Sequence, residues 1–469
     1  MTTRLAVIGA GPGGYAAAFH AADLGMKVTL IDAEPNPGGV CTFRGCIPSK
    51  ALLHAAKVLD EAKHAEAFGV SFGTPAIDVN KLRAWKDEVV KKQTGGLGLL
   101  AKSRKVDYVQ GTASIVDGKT LTVETAKGTQ RVDTDYIIIA TGSRPTAVPN
   151  VSIDSPKVLD STTALELPDV PNRLLIVGGG YIGLELGTVY AALGSKVTVV
   201  EMTDGLLPGA DRDLAAVVAK RMETYCEAIL LATKVTAVKE DEKGLSVTLE
   251  GKNAPAGAQI FDRVLVAVGR RPNSNIAGLD KTKARVNQRG FIEVDGQRRT
   301  AEPTIFAIGD VAGDPMLAHK ASHEARVAVE TIHGRPAEFA PRAIPAVVFT
   351  DPELAWAGLT EAEAKAQNIT VEIAKFPWAA SGRATTLGRP DGLTKLIIDP
   401  ETERILGVGI AGSGAGELIA EGTLAIEMVS LRSAATLPIH AHPTLSETLM
   451  EAAEVFFGES VHVYKPKKA

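Results

Sequence analysis

The 469-residue chain sets 51 Lys and Arg against 55 Asp and Glu, a formal charge of −4 at pH 7, and so gives no sign of a nucleic-acid surface. Its length points to about three or four folded units rather than one core, and no apolar run reaches the ~18 residues of a membrane span. The amino end passes straight into a strand pattern, leaving no room for a secretory signal, so a cytoplasmic protein is expected.

Residues 4–32, RLAVIGAGPGGYAAAFHAADLGMKVTLID, open as an apolar strand and turn at Gly9, Gly11 and Gly14. They continue with helical periodicity and end in a second apolar strand closed by Asp32. This is the strand, glycine turn, helix, strand, acid layout of a dinucleotide-binding unit. The glycines let backbone approach a pyrophosphate, the helix amino end supplies N–H groups and a positive dipole, and the acid accepts from a ribose hydroxyl. A bare glycine motif is weak evidence. The strand context and an acid 18 residues beyond Gly14 make this one strong.

GGVCTFRGCIPSK follows at 38–50 and spends two of the three cysteines, Cys41 and Cys46. In a reducing compartment a close pair points to catalysis or metal rather than a structural staple. Zinc is the weaker option, because a structural site needs about four ligands and Cys226 stands alone in METYCEAILL, as a small buried hydrophobe. Redox chemistry remains. Four residues in an irregular turn permit the ~5.5 Å Cα separation of a disulfide. Pro48 suits the first turn of a helix running through SKALLHAAKVLDEA. Cys46 then sits at that helix's amino end, where the dipole favours thiolate. Lys50, one turn later, either faces the same site or is a solvated lysine. Arg44, between the sulfurs, either lowers thiol pKa and attracts anions or points away.

The layout then recurs. In RLLIVGGGYIGLELGTVYAALGSKVTVVE, Gly178, Gly183 and Glu201 lie 169 residues beyond Gly9, Gly14 and Asp32, with Gly180 matching Gly11. Each copy is followed by an apolar strand ending in a glycine turn, YIIIATGSRP with Gly142 and VLVAVGRRPN with Gly269. Two units imply two dinucleotides bound at once. The first unit, next to the cysteines, is expected to hold the cofactor that exchanges electrons with sulfur, FAD. The second closes with Glu201, and the MTDGLLPGAD that follows has no arginine until Arg212, which disfavours a 2′-phosphate and points to NAD.

Three later segments complete the pattern. TIFAIGDVA reads as a buried strand whose Asp310 either accepts from flavin ribityl hydroxyls or is an ordinary turn acid. LAHKASHEA, with Ala318, fits a helix whose amino end approaches the flavin. In HAHPTLSE, His442 precedes a helical run with Glu447 five residues on. An imidazole oriented by a carboxylate can take the proton of an incoming thiol, while His440 reads as structural. The tail Lys465-Pro466-Lys467-Lys468 reads as a solvated terminus.

The cysteine segment, the doubled glycine units, the AIGD segment and HAHPTLSE together resemble the flavin-dependent pyridine nucleotide disulfide oxidoreductases, in particular the branch that oxidises dihydrolipoamide. The resemblance spans essentially the whole chain and implies an α/β fold of two Rossmann-like domains, the second inserted in the first, plus an α+β carboxyl-terminal interface domain. The expected boundaries are 1–148 for FAD, 149–272 for NAD, 273–343 for a central domain completing the FAD site, and 344–469 for dimerisation. It also implies that Cys46 faces the flavin, that Cys41 exchanges with substrate, and that Lys50 pairs with Glu185. His442 and Glu447 would come from the other subunit of a homodimer. By the same resemblance Gly9, Gly11, Gly14, Asp32, Lys50, Ala113, Gly142, Asp310 and Ala318 hold FAD. Gly178, Gly180, Gly183, Glu201, Val235 and Gly269 hold NAD, and no metal is required. The implied partner is a lipoyl-bearing acyltransferase or a glycine-cleavage carrier protein. The alternative enzyme is an NAD(P)H-dependent reductase of another low-molecular-weight disulfide. A noncatalytic docking subunit is disfavoured, because Cys41, Cys46 and His442 are all present. Between the cysteines the family usually carries Leu-Asn-Val-Gly where this chain has Thr42-Phe43-Arg44-Gly45, which leaves substrate identity less secure than reaction type.

Overall fold

The computed structural model describes residues 2–464; the basic tail at 465–468 lies outside them. Strand β1 (Arg4–Ile8) is buried from Leu5 onward, helix α1 (Pro12–Asp23) packs its alanines inward, and strand β2 (Lys27–Asp32) returns parallel to β1 with Leu5 opposite Val28. A near-continuous apolar run is what a parallel strand covered on both faces requires. The full sheet has five parallel strands in the order 305–307, 136–139, β1, β2, 107–110. Its edge strand, Ile305–Ala307, comes from far down the chain, so the first unit is closed only after the second has been inserted.

The inserted unit repeats the construction. Arg173–Val177 lies between Lys196–Val200 and Arg263–Val266 in another five-stranded parallel sheet. An antiparallel ribbon joins Ser143–Pro145 to Arg270–Pro272 where the chain passes between the two units. The third large sheet is wholly antiparallel, in the order 346–348, 353–358, 405–412, 393–398, 372–377. It is covered by helices Ala415–Glu427 and Glu447–Phe457, whose apolar faces share its core. These are the two Rossmann-like units and the α+β carboxyl-terminal unit expected from the sequence. No helix among the described residues is long and apolar enough to cross a membrane.

Candidate active site

Both parallel sheets end at a glycine turn that opens on a cavity. Helix α1 starts at Gly11 with no side-chain cap, and so does helix Tyr181–Leu193 at Gly180. Each therefore leaves first-turn N–H groups for an anion. The third glycines do something else. A Cβ on Gly14 would lie 1.8 Å from the Gly9 oxygen, and one on Gly183 2.3 Å from the Gly178 oxygen. Neither lines a cavity; they seat helix on strand. The acids also work first on the turns. Asp32 Oδ2 accepts from Ala10 N at 2.6 Å, and Glu201 Oε2 accepts from Gly179 N at 2.6 Å. Burial pushes the Asp32 carboxyl up, against the Ala10 N–H and the Arg44 cation, which both pull it down. An uncapped helix end, a side-chain-free turn and a strand-end carboxylate fit the pyrophosphate and ribose of a dinucleotide in both cavities.

The first cavity is lined by Gly9, Gly11, Asp32, Gly142, Asp310 and Ala318, and also by Cys41, Cys46, Lys50 and Glu185. Local bonds explain why the sulfurs are there. Gly38 N–H donates to Ala10 O at 2.8 Å, and Gly39 sits so close that a Cβ on it would be 2.4 Å from Gly11 Cα. The cysteine segment is thus laid directly on the glycine turn. It is not an irregular turn. Gly39–Arg44 forms a short helix, α2, and Cys46–His64 a long one, α3. The break falls at Gly45, where a side chain would meet the Val40 oxygen at 2.9 Å.

Cys46 begins α3, and its exposed surface faces the cavity it lines. Both cysteines are free thiols here, and each shifts the other's acidity. The two are driven apart in acidity. The Cys41 thiol, donating to its neighbour, lowers Cys46 to about 7 against the cost of burial, with Lys50 helping and Glu185 opposing. Cys41 is raised by that same bond and by burial. Lys50 Nζ lies 2.8 Å from Glu185 Oε2, and Glu185 is almost fully buried. The sequence left Arg44 with two readings, and the structure takes it away from sulfur, to the Glu34 carboxylate at the Asp32 end of the cavity. Ala113 lies on Thr112–Asp117 with its side chain in an apolar cluster, and it is not among the residues lining the cavity.

The second cavity is lined by Gly178, Gly180, Glu201, Val235 and Gly269. Glu201 Oε1 also accepts from the Thr203 N–H at 2.8 Å and its hydroxyl at 2.9 Å, which holds the carboxylate in place, while Lys234, which lines the same cavity, is paired with Glu250 at 3.2 Å. Tyr181, Ile182, Arg270 and Met316 line both cavities, which therefore meet along this wall. Arg270 had no sequence signal. Its guanidinium donates to the Ser143 hydroxyl and carbonyl, both at 2.7 Å, and Ser143 donates to Asp310 Oδ2 at 2.5 Å.

His442 Nδ1 pairs with Glu447 Oε1 at 2.9 Å, while Glu447 Oε2 accepts from Thr444 N at 2.6 Å. Burial opposes ionisation of Glu447, but the Thr444 N–H and the His442 imidazole together hold its carboxyl below the usual range. The imidazole itself is largely exposed and lines neither cavity. Within one chain the base and the sulfurs are not brought together. His440, by contrast, is tied to Glu421 at 2.9 Å and is largely buried.

Residues 3–325 match the pyridine nucleotide-disulphide oxidoreductase model, and residues 344–453 match that family's dimerisation domain. The chain belongs to this family, and it is a flavin- and pyridine-nucleotide-dependent disulfide oxidoreductase that forms a homodimer. Within the family it groups with the dihydrolipoyl dehydrogenases. The Vibrio cholerae protein of that name is 51% identical over 97% of this chain and 96% of its own length. That of Geobacillus stearothermophilus is 47% identical over 98% and 97%. Among solved structures, LpdA from Mycobacterium tuberculosis matches with a TM-score of 0.89 at 25% identity, over 97% of this chain and all of that one. The HOCl-induced flavoprotein disulfide reductase RclA from Escherichia coli matches at 0.84 and 28%, over 95% and 98%.

Proposed function

We propose that this enzyme oxidises dihydrolipoamide carried on a lipoyl-bearing acyltransferase or glycine-cleavage carrier protein, with NAD as the final acceptor. The observation that carries the reading is the pair of thiols of unlike acidity on the wall of the first dinucleotide cavity, beside Lys50.

In the oxidised enzyme Cys41 and Cys46 are joined. His442 of the partner subunit, oriented by its carboxylate, takes a proton from one substrate thiol, and that thiolate attacks Cys41 sulfur. The Cys41–Cys46 bond breaks, and Cys46 departs as thiolate. Its low pKa makes it the better leaving group of the two. The second substrate thiol then attacks the substrate sulfur of the mixed disulfide, and its proton passes to the departing Cys41. Cys41 is released as a thiol, and substrate leaves as a cyclic disulfide, two electrons poorer. The two electrons now reside on the cysteine pair, with Lys50 balancing negative charge on that side of the cavity. What a bound flavin supplies is transfer of that electron pair to NAD in the second cavity. Gly9, Gly11, Asp32, Gly142, Asp310 and Ala318 would hold FAD; Gly178, Gly180, Glu201, Val235 and Gly269 would hold NAD. Gly14 and Gly183 act behind them as packing contacts.

Steady-state rates with dihydrolipoamide and NAD, compared with glutathione disulfide and NADPH, test the reading. Turnover is expected with the first pair. Turnover confined to the second makes the enzyme a reductase of another small disulfide.

A further inference from the structure

Lys50 is held by two groups, and one of them comes from the carboxyl-terminal unit. Glu185, on the helix Tyr181–Leu193, offers Oε2 to Lys50 Nζ at 2.8 Å. Its other oxygen is taken by the backbone N–H of Phe349 at 3.0 Å. The Phe349 ring itself stands 4.4 Å from Lys50 Nζ, face toward the ammonium. Phe349 directly follows the edge strand Ala346–Val348 of the antiparallel sheet, and its ring backs onto the start of helix Ala415–Glu427. There a side chain on Gly416 would touch it at 3.7 Å. One residue thus aims the carboxylate with its backbone and seats the cation with its side chain.

We propose that Phe349 is a positioning residue for the thiol end of the site, fixing the Lys50 ammonium over its ring so that the carboxyl-terminal unit sets the electrostatics at Cys46. This deepens the reading above and rests on Cys46 being the flavin-side thiol. An aromatic face attracts a cation and shields one side of it from water, so the ring fixes the ammonium in place. Lys50 is the cation that favours Cys46 thiolate. The other groups near that sulfur are Cys41 from α2, Glu185 and Tyr181 from the second glycine-turn helix, and Tyr15 from α1. The Cys41 thiol also favours the thiolate while Glu185 opposes it, so Lys50 offsets Glu185 only while the ammonium remains where it is.

The test is a pH titration of the long-wavelength thiolate-to-flavin absorbance in two-electron-reduced holoenzyme. Phe349→Leu keeps the backbone N–H and the bulk but loses the π face, and its midpoint is expected to rise by about half a unit. Phe349→Tyr keeps the face and should titrate like the wild type. Should Phe349→Leu fail to fold, pentafluorophenylalanine at position 349 keeps the shape, reverses the ring's polarity, and should shift the midpoint in the same upward direction. In a Lys50→Met background neither replacement should add a shift. A Phe349→Leu or pentafluorophenylalanine enzyme with an unmoved midpoint overturns the proposal, as does an equal shift in the Lys50→Met background. Failure of the underlying reading looks different: the wild type itself would show no such band.

Discussion

The two glycine-turn units are near copies in backbone and unlike in use. Gly9 N–H bonds Ile31 O at 2.8 Å where Gly178 N–H bonds Val200 O at 2.9 Å, and Ala140 and Ala267 close the next strand with the same 2.8 Å bond. They diverge immediately after the acid. In the first unit the chain turns back over the glycines and lays α2 and α3 along the cavity, bringing two sulfurs and Lys50. In the second, Thr203 caps the acid and no thiol lines the cavity. The lesson is that the turn supplies binding of a dinucleotide, and the segment after the second strand decides whether chemistry follows.

The largest effects should come from breaking each copy at its first glycine. Gly9 and Gly178 have φ of +96° and +110°, and a Cβ on them would lie 2.3 Å and 2.6 Å from the Ala140 and Ala267 oxygens. Gly9→Ala should give protein without yellow colour. Gly178→Ala should stay yellow and lose NAD-dependent turnover, which absorbance and steady-state rates will separate. A Gly178→Ala protein that is colourless would show the units are not independent.

His442→Gln should lower dihydrolipoamide oxidation by about 10²–10⁴-fold, the usual worth of a general base, while transfer from NADH to an artificial electron acceptor is unchanged. An equal fall in both assays would place His442 outside thiol exchange. Glu201→Ala should weaken NAD by about 10–100-fold, the worth of hydrogen bonds to a charged group, with flavin content preserved. The corresponding Asp32→Ala should instead cost flavin affinity, measured by fluorescence during dilution.

The smallest effect is a matter of pH. Because Cys46 is lowered to about 7, its thiolate fraction grows as pH rises through that value. The long-wavelength band of reduced enzyme should be half developed near pH 7 and absent well below it. Lys50→Met removes a cation that lowers this pKa, so its midpoint should move upward.

What could be read from the amino-acid sequence is what the chain keeps local. Gly9 through Asp32 is one continuous unit, so its spacing alone reported strand, turn and helix, and repetition at 169 residues identified the second. Cys41, Cys46 and Lys50 were equally legible, because α2 and the start of α3 place them in one continuous stretch of chain. Arg44 was ambiguous because its partner, Glu34, lies in the loop between β2 and α2, outside the cysteine segment. Phe349 and Arg270 had no signal at all. Each acts on residues more than a hundred positions away, Phe349 on Glu185 and Arg270 on Ser143, and a single aromatic or arginine carries no periodicity. The packing role of Gly14 and Gly183 was not legible, because the motif does not distinguish a glycine that admits a ligand from one that admits a helix.

The central claim is that Cys46 is the sulfur facing the flavin and Cys41 the one facing substrate. Two single-cysteine variants test it by absorbance of the flavin-loaded protein above the flavin's own bands. The account predicts a long-wavelength band at pH 8 in Cys41→Ser and none in Cys46→Ser; the reverse pattern would contradict it.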